Sequence, residues 1–371
     1  MGGFMNEVFF TDMHAKYGNS IENKLKKLLR KANLKSFIGK KELVALKVHV
    51  GERGNTGFLS HNFARVIVEE VKNAGGNPYI TDTNTLYSGG RHNGVDHVVT
   101  AVQHGYSYAS VGAPFIPADG IRGLDYIPVK IEGKHFKEAK LAAGIVKADK
   151  IIFLTHFKAH IEAGIGGTIK NLSMGCASIA GKQEQHSTSK PEIKEKNCTG
   201  CRQCYWACPE GAITMVDKKA VINYELCIGC GQCVAACNYE AMQAKWDSEN
   251  RVYLEKVCEY AVAAARYLKD KALYLNFAIN ITPDCDCWPA SDVPIVEDVG
   301  IFGSYSPLSL ERATLEMVSK SRANERSSFK DKIMNGPNVF QEIREHIPSD
   351  RLLEYSRELG LEDEYRLIFV K

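Results

Sequence analysis

The chain has 371 residues, 47 Lys and Arg against 44 Asp and Glu, a net charge of +3 and 12 cysteines. That length fits two or three domains, and so small a charge argues against a nucleic-acid partner or an anionic membrane surface. No apolar run reaches membrane-spanning length, and MGGFMNEVFF lacks a charged segment before an apolar one, so the expected compartment is the cytoplasm; a chain this long is no secreted disulfide scaffold.

Ser20 to Ala32 places Ile21, Leu25, Leu28 and Leu29 at helical spacing, which predicts an amphipathic surface helix. Leu43 to Val50 (LVALKVHV) reads as a strand buried on both faces, followed by a loop from Gly51 to Gly57. Ser60 can cap a helix carrying Phe63, Ile67 and Val71 on one face and ending at Gly75-Gly76; a short strand follows at Asn77 to Asp82. The order strand, loop, helix, strand predicts a mostly parallel sheet with helices on both faces. Asp82 then falls on the carboxyl edge, where open α/β sheets hold ligands. From about Val95 a helix is expected to turn Val98, Val102 and Tyr106 inward. On that basis His92, His97 and His104 read as surface or capping histidines. Residues 111–136 predict loops and an antiparallel excursion at YIPVKI.

Ile151 to Thr155 (IIFLT) is a third buried strand, running into Lys158, His160 and the Gly-rich stretch from Gly164 to Asn171. A Gly-rich loop before a helix start lets backbone N–H groups approach an anion, with Lys158 and Lys170 adding charge. The stretch is neither a Walker A loop nor G-x-G-x-x-G, and two readings stand side by side: a site for an anionic or carbonyl-bearing ligand, and a tight packing turn.

Residues 182–197 are polar and read as a linker. Beyond it Cys198, Cys201, Cys204 and Cys208 have the spacing C-x-x-C-x-x-C-x-x-x-C, and Cys227, Cys230, Cys233 and Cys237 repeat it. This is the ligand pattern of two [4Fe–4S] clusters, in which the fourth cysteine of each run serves the other cluster. The expected sets are therefore Cys198, Cys201, Cys204 and Cys237 for one cluster, and Cys227, Cys230, Cys233 and Cys208 for the second. Zinc knuckles, the alternative, use pairs without a third cysteine at the next step. Ala212-Ile213 and Ala241-Met242 follow the two runs at matched positions, so the unit repeats internally.

After Trp246 an alanine-rich helix is expected over Val257 to Leu268, with Cys258 in the core, then a buried strand from Leu273 to Ile281. The cysteine unit is thus an insertion into one α/β domain: residues 1–189 and 247–371 form the α/β domain and 190–246 the insert. Cys285 and Cys287, past that last strand, form a pair suited to a soft metal. Converging with Cys176, they would make a third metal or cluster site with a fourth ligand from His or water; inert buried thiols are the alternative. The segment PIVEDVGIF contains a strand and Asp298, and the tail is mostly helical with a closing strand near Leu367 to Val370.

Taken together, residues 46–51 (LKVHVG), 81–87 (TDTNTLY), 155–176 (THFKAHIEAGIGGTIKNLSMGC), both cysteine runs, Asp284–Cys287 and Pro294–Gly303 make the chain resemble the domain-of-unknown-function 362 proteins that carry an inserted two-cluster ferredoxin. The resemblance implies iron–sulfur binding and no settled reaction. An acidic Asp-Pro-x-Ala-[IL]-Asp segment of that family reads Ser306-Pro307-Leu308-Ser309-Leu310-Glu311 here, so Ser306 replaces its first carboxylate while Asp298 is retained.

The expected function is electron transfer through two clusters to a site in the α/β domain. Candidate site residues are Lys47, His49, Lys158, His160, Lys170, Asn171, Cys285, Cys287 and Asp298, where Lys or His would supply protons. The partner would be a redox protein or a small-molecule acceptor. No dinucleotide fingerprint points to nicotinamide; a flavin is left open. The alternatives are a metal or cluster carrier using the third site, and a binding domain that clusters merely staple.

Overall fold

The computed structural model describes residues 5–371 except 187–189, 228, 230, 244–248 and 335. Its main sheet has seven strands. In chain order the principal elements are β1 (Asn6–Asp12), α1 (Ile21–Lys31), β2 (Leu43–Val48), α2 (His61–Ala74), β3 (Asn77–Thr81), α3 (Gly94–Gln103), β4 (Lys150–His156), α4 (Thr168–Ser173), α5 (Ile179–His186), α6 (Asn250–Tyr267), β5 (Ala272–Ala278), β6 (Gly300–Ser304), α7 (Pro307–Ser319) and β7 (Tyr365–Phe369). The spatial order is β7-β1-β6-β5-β4-β2-β3, and β6 alone runs against the others. The mainly parallel α/β sheet expected from the strand runs is therefore present. β1 is an addition: no strand is expected before residue 20 from the sequence, yet Val8, Phe9 and Phe10 are buried in the sheet.

Strand alternation builds two cores. Val8, Phe10, Ala45, Ile151, Phe153, Ala272, Tyr274 and Phe302 face one way, against residues of α4, α6 and α7. Phe9, Val44, Leu46, Val48, Ile152, Leu154, Leu273, Leu275 and Ile301 face the other, against α1 and α2. Both faces are covered, so the central strands are largely apolar rather than alternating. The caps fall where the sequence places them: Ser60 Oγ accepts the Asn62 N–H at the start of α2, and Gly75 ends it at φ +98°.

α3 corrects the expected facing. Val95, Val99 and Val102 are exposed, while His97, Thr100 and Ala101 are buried. Polar partners decide the rotation. His97 Nδ1 lies 3.1 Å from Asn84 Oδ1, and Arg53 Nε donates to Thr100 Oγ1 at 2.9 Å. Hydrophobic periodicity cannot register a helix that buries a polar face.

The cysteine-rich stretch lies between β4 and β5, which are neighbours in the sheet. Its two halves repeat at an offset of 29 residues: Gly200 and Gly229 both have positive φ, as do Arg202 and Gly231, and short helices follow at Gln203–Ala207 and Gln232–Ala236. Hairpin Ile213–Val216 with Lys219–Ile222, and the pairing of Met242–Gln243 with Glu192–Ile193, complete the stretch. Cys204, Cys233 and Cys237 pack with Ile213, Ile222 and Met242 in a third cluster, which reaches Leu86 and Ile179 of the larger unit.

Candidate functional site

The register of β2, β3, β4 and β5 aligns their carboxyl ends, Lys47 with Thr81 and Val48 with Leu154, and Leu154 with Leu275. The chain leaves all four strands at one edge, and there a cavity of about 660 Å³ opens. Its wall includes Lys47 near the end of β2 and His49 just past it, Asp82 and Arg91 after β3, Lys158, His160, Lys170 and Asn171 after β4, and Cys285 and Cys287 after β5. Eight of the nine residues expected to form the site thus meet at this edge: Lys47, His49, Lys158, His160, Lys170, Asn171, Cys285 and Cys287.

Lys47 Nζ lies 2.9 Å from Asp82 Oδ1 and donates to Asn171 Oδ1 at 2.8 Å. Asn171 Nδ2 in turn donates to Thr155 Oγ1 at 2.9 Å. Burial alone would raise the Asp82 pKa, but Lys47, His97 and His49 hold it well below the usual carboxylate range. Arg91 is buried between Asp82 and Glu52, at 3.5 and 3.3 Å, and also reaches the Tyr87 hydroxyl. His49 Nδ1 accepts the Gly51 N–H at 3.1 Å, which leaves the ring proton to Nε2. Burial, then the Arg91 charge, push its pKa down to about 3, so the ring is neutral at physiological pH.

Lys158 to His160 forms a short hairpin strand with Gly164–Gly166. Alternation along it turns Lys158 and His160 to the cavity and Ala159 to the core. Lys158 Nζ lies 3.0 Å from Asp286 Oδ2, and His156 Nδ1 lies 2.9 Å from Asp286 Oδ1. The other nitrogen of His156 is 3.0 Å from the carbonyl oxygens of Ile279 and Asn280. His160 Nδ1 accepts the N–H groups of Glu162 and Ala163, each at 3.1 Å, which fixes the ring and leaves Nε2 for the thiols.

His160, Cys285 and Cys287 bring their ligand atoms within 4.8 Å of one another, the one group among the described residues with the spacing to hold a metal ion. Of the two thiols Cys285 is held well below the usual value, first by the Cys287 thiol and then by Lys158 and His160, while burial opposes this. Cys287 is correspondingly raised.

Three sequence expectations are revised. Cys176 does not converge with the Cys285–Cys287 pair: its thiol faces Asn171 O at 3.6 Å, is fully buried, and is pushed up to about 12 chiefly by burial. His160 stands where Cys176 was expected, because α4 carries Cys176 away from the strand ends. The Gly-rich loop does not offer α4 to an anion. Glu311 of α7 already accepts the Thr168 N–H at 2.6 Å, so the helix start is filled from within. Asp298 is outside the cavity wall; it accepts the Asn280 N–H at 2.6 Å in an exposed turn. Ser306 caps α7 and contacts Ser309 and Glu362, also away from the cavity.

Arg91, Glu52, Asp286 and Lys182 also line or brace the site and were not expected there. Only Asp286 carried a signal, its place between two ligand-type cysteines.

The two cysteine runs sort into separate small pockets. Cys198, Cys201 and Cys204 share one with Cys237. Cys227 and Cys233 share the other with Cys208. Cys230 lies outside the described residues. Backbone N–H groups of Ala220, Ala212 and Ala241 donate to the sulfurs of Cys198, Cys208 and Cys237 at 3.4, 3.2 and 3.3 Å. α5 lies between this unit and the cavity: Lys182 and His186 line the cavity, and a methyl on Gly231 would meet Gln183 at 2.5 Å. No helix among the described residues is long and apolar enough to cross a membrane.

No curated protein matches the chain. Several solved structures are similar, among them two at low identity. One is the lactate racemase apoprotein from Thermoanaerobacterium thermosaccharolyticum, at 14% identity and a TM-score of 0.37, covering 74% of this chain and 51% of that one. The other is a protein from Thermotoga maritima, at 9% identity and a TM-score of 0.39, covering 91% of this chain and 59% of that one. The chain thus spans between half and three fifths of the length of these structures. The domain of unknown function DUF362 matches residues 44–316, most of the chain, and the protein belongs to that family.

Proposed function

We propose that the protein is an iron–sulfur redox protein. Residues 190–246 hold two [4Fe–4S] clusters and serve a ligand bound in the cavity at the carboxyl edge of the main sheet. The observation that carries this reading is the sorting of the cysteines by crossed sets, with Cys237 beside the first run and Cys208 beside the second. That arrangement fits two cubane clusters and is foreign to a pair of zinc knuckles. When bound, such clusters supply one-electron chemistry.

The chain's own residues suit that role. N–H donors on the sulfurs of Cys198, Cys208 and Cys237 offset thiolate charge, one of the factors that set a cluster's potential. α5 stands between the cysteine unit and the cavity, with Gln183 beside Gly231 and Lys182 and His186 on the cavity wall. The buried Lys158 and the half-buried Lys170 stand ready to balance negative charge arriving in the cavity. The partner is a redox protein or a small-molecule acceptor, in a reducing cytoplasm.

Iron and acid-labile sulfide would be measured on anaerobically purified protein, with EPR after dithionite. About eight irons per chain and two interacting reduced clusters are expected. Stoichiometric zinc without sulfide would overturn the reading.

A further inference from the structure

We propose that His160, Cys285 and Cys287 bind a single borderline-soft divalent ion of the zinc class, and that its fourth position opens into the cavity to take an oxyanion of a small molecule.

The donor set is one imidazole and two thiols, with ligand atoms within 4.8 Å of one another. Two thiolates and one imidazole leave a tetrahedral ion one ligand short, the composition of a catalytic rather than a closed structural zinc site. Thiolates select soft and borderline ions over magnesium or calcium. All three side chains stand on the cavity wall and no fourth protein donor among the described residues shares their spacing, so water or a molecule in the cavity supplies the missing ligand.

The surroundings are built around the donors. The Glu162 and Ala163 N–H groups at Nδ1 orient the ring so that Nε2 is the nitrogen turned to the thiols. Neutral imidazole ligates through Nε2 only with its proton on Nδ1, so uptake moves the ring proton to Nδ1, turns aside the Glu162 and Ala163 N–H groups, and releases the thiol protons. The thiolate sulfurs face Lys158 and Lys170 on the same wall. Asp286, between the two cysteines, is tied to His156 and Lys158, which fixes the loop on which both thiols sit.

The ligand class follows from charge. Two thiolates neutralise a divalent ion. Beside it Lys170 donates to the Tyr253 hydroxyl at 3.1 Å and makes no ion pair among the described residues. A carboxylate or phosphate oxygen completing the metal shell would have Lys170 as its counter-charge.

The site is independent of the cluster reading, and the test separates the two. Protein purified anaerobically in chelator is loaded with Zn²⁺ or Co²⁺, desalted and assayed for metal, iron and sulfide together. The expected result is one added metal per chain in the wild type and in Cys176→Ala. In Cys285→Ala/Cys287→Ala and in His160→Ala the added metal falls at least tenfold. Unchanged iron and sulfide in these variants shows that they are folded. Cobalt X-ray absorption reports two sulfur ligands, with the remainder light atoms. Acetate and inorganic phosphate, added separately, alter the cobalt spectrum in the wild type, and Lys170→Met weakens the response at least tenfold.

Added metal that survives in the cysteine double variant overturns the site. So does a wild-type protein that takes up none and shows Cys285 and Cys287 joined as a disulfide on peptide mapping. Bound cobalt blind to both anions overturns the open position. A low iron count with intact zinc binding would count against the clusters alone.

Discussion

Asp286 lies between the two cysteines of the pair, and Lys158 Nζ sits 3.0 Å from its Oδ2, both side chains almost fully buried. The other carboxylate oxygen faces His156. Removing one member of such a buried arrangement leaves a charge with neither water nor partner. Asp286→Ala should therefore destabilise the protein by on the order of 3–5 kcal/mol. Lys158→Met in the same chain should recover part of that loss, because it removes the stranded cation. Denaturant midpoints of the three variants measured anaerobically decide it, and a double variant no more stable than Asp286→Ala would refute the pairing.

Glu311 predicts a pH dependence. Burial raises its pKa from 4.5 to about 7, against the opposing hydrogen bond from the Thr168 N–H. A carboxyl with a higher pKa folded than unfolded binds its proton more tightly in the fold. Its effect on stability is therefore absent below about pH 4, grows more unfavourable as pH rises through 4.5 to 7, and is constant above. The span amounts to roughly 3 kcal/mol. Glu311→Gln removes that slope, so the stability of the variant relative to wild type should rise between pH 5 and pH 8. Parallel thermal melts across this range giving a constant difference would show that Glu311 is ionised throughout.

Crossing of the cysteine sets can be read from paired substitutions. Cys198 and Cys237 line one pocket, and Cys208 lines the other. Cys198→Ala/Cys237→Ala should then retain about four irons, while Cys198→Ala/Cys208→Ala should retain almost none. Sets taken in sequence order predict the reverse, so iron analysis of the two variants distinguishes them.

Gly231 sits at φ +69°, and a methyl there would lie 2.5 Å from Gln183 Cβ. Gly211 has φ +60° with nothing within 4 Å. Alanine at either position meets the left-handed cost of about 1 kcal/mol, but only Gly231→Ala also forces α5 and the cysteine unit apart. We expect Gly231→Ala to lose more stability than Gly211→Ala by roughly 1–3 kcal/mol and to lose iron on gel filtration. Equal melting points and equal iron would mean that the contact yields without cost.

Much of this protein was legible as sequence because its signals are local. Apolar runs at 43–48, 151–156 and 272–278 mark strands covered on both faces, and their order with the intervening helices implies a largely parallel sheet. Strand ends bearing Lys47, His49, Lys158 and His160 fall at one edge because parallel strands must all finish on the same side. The cysteine spacing points to paired sets without reference to anything distant. Tertiary structure alone decided which groups meet across the edge. His160 rather than Cys176 stands by Cys285 and Cys287, since alternation in a three-residue strand points one side chain in while α4 carries the other away. Glu311, 143 residues from Thr168, closes the helix that the Gly-rich loop was expected to leave open. α3 buries His97 instead of its valines because Asn84 and Asp82 face that ring, and partners outside the helix leave no mark on its own periodicity.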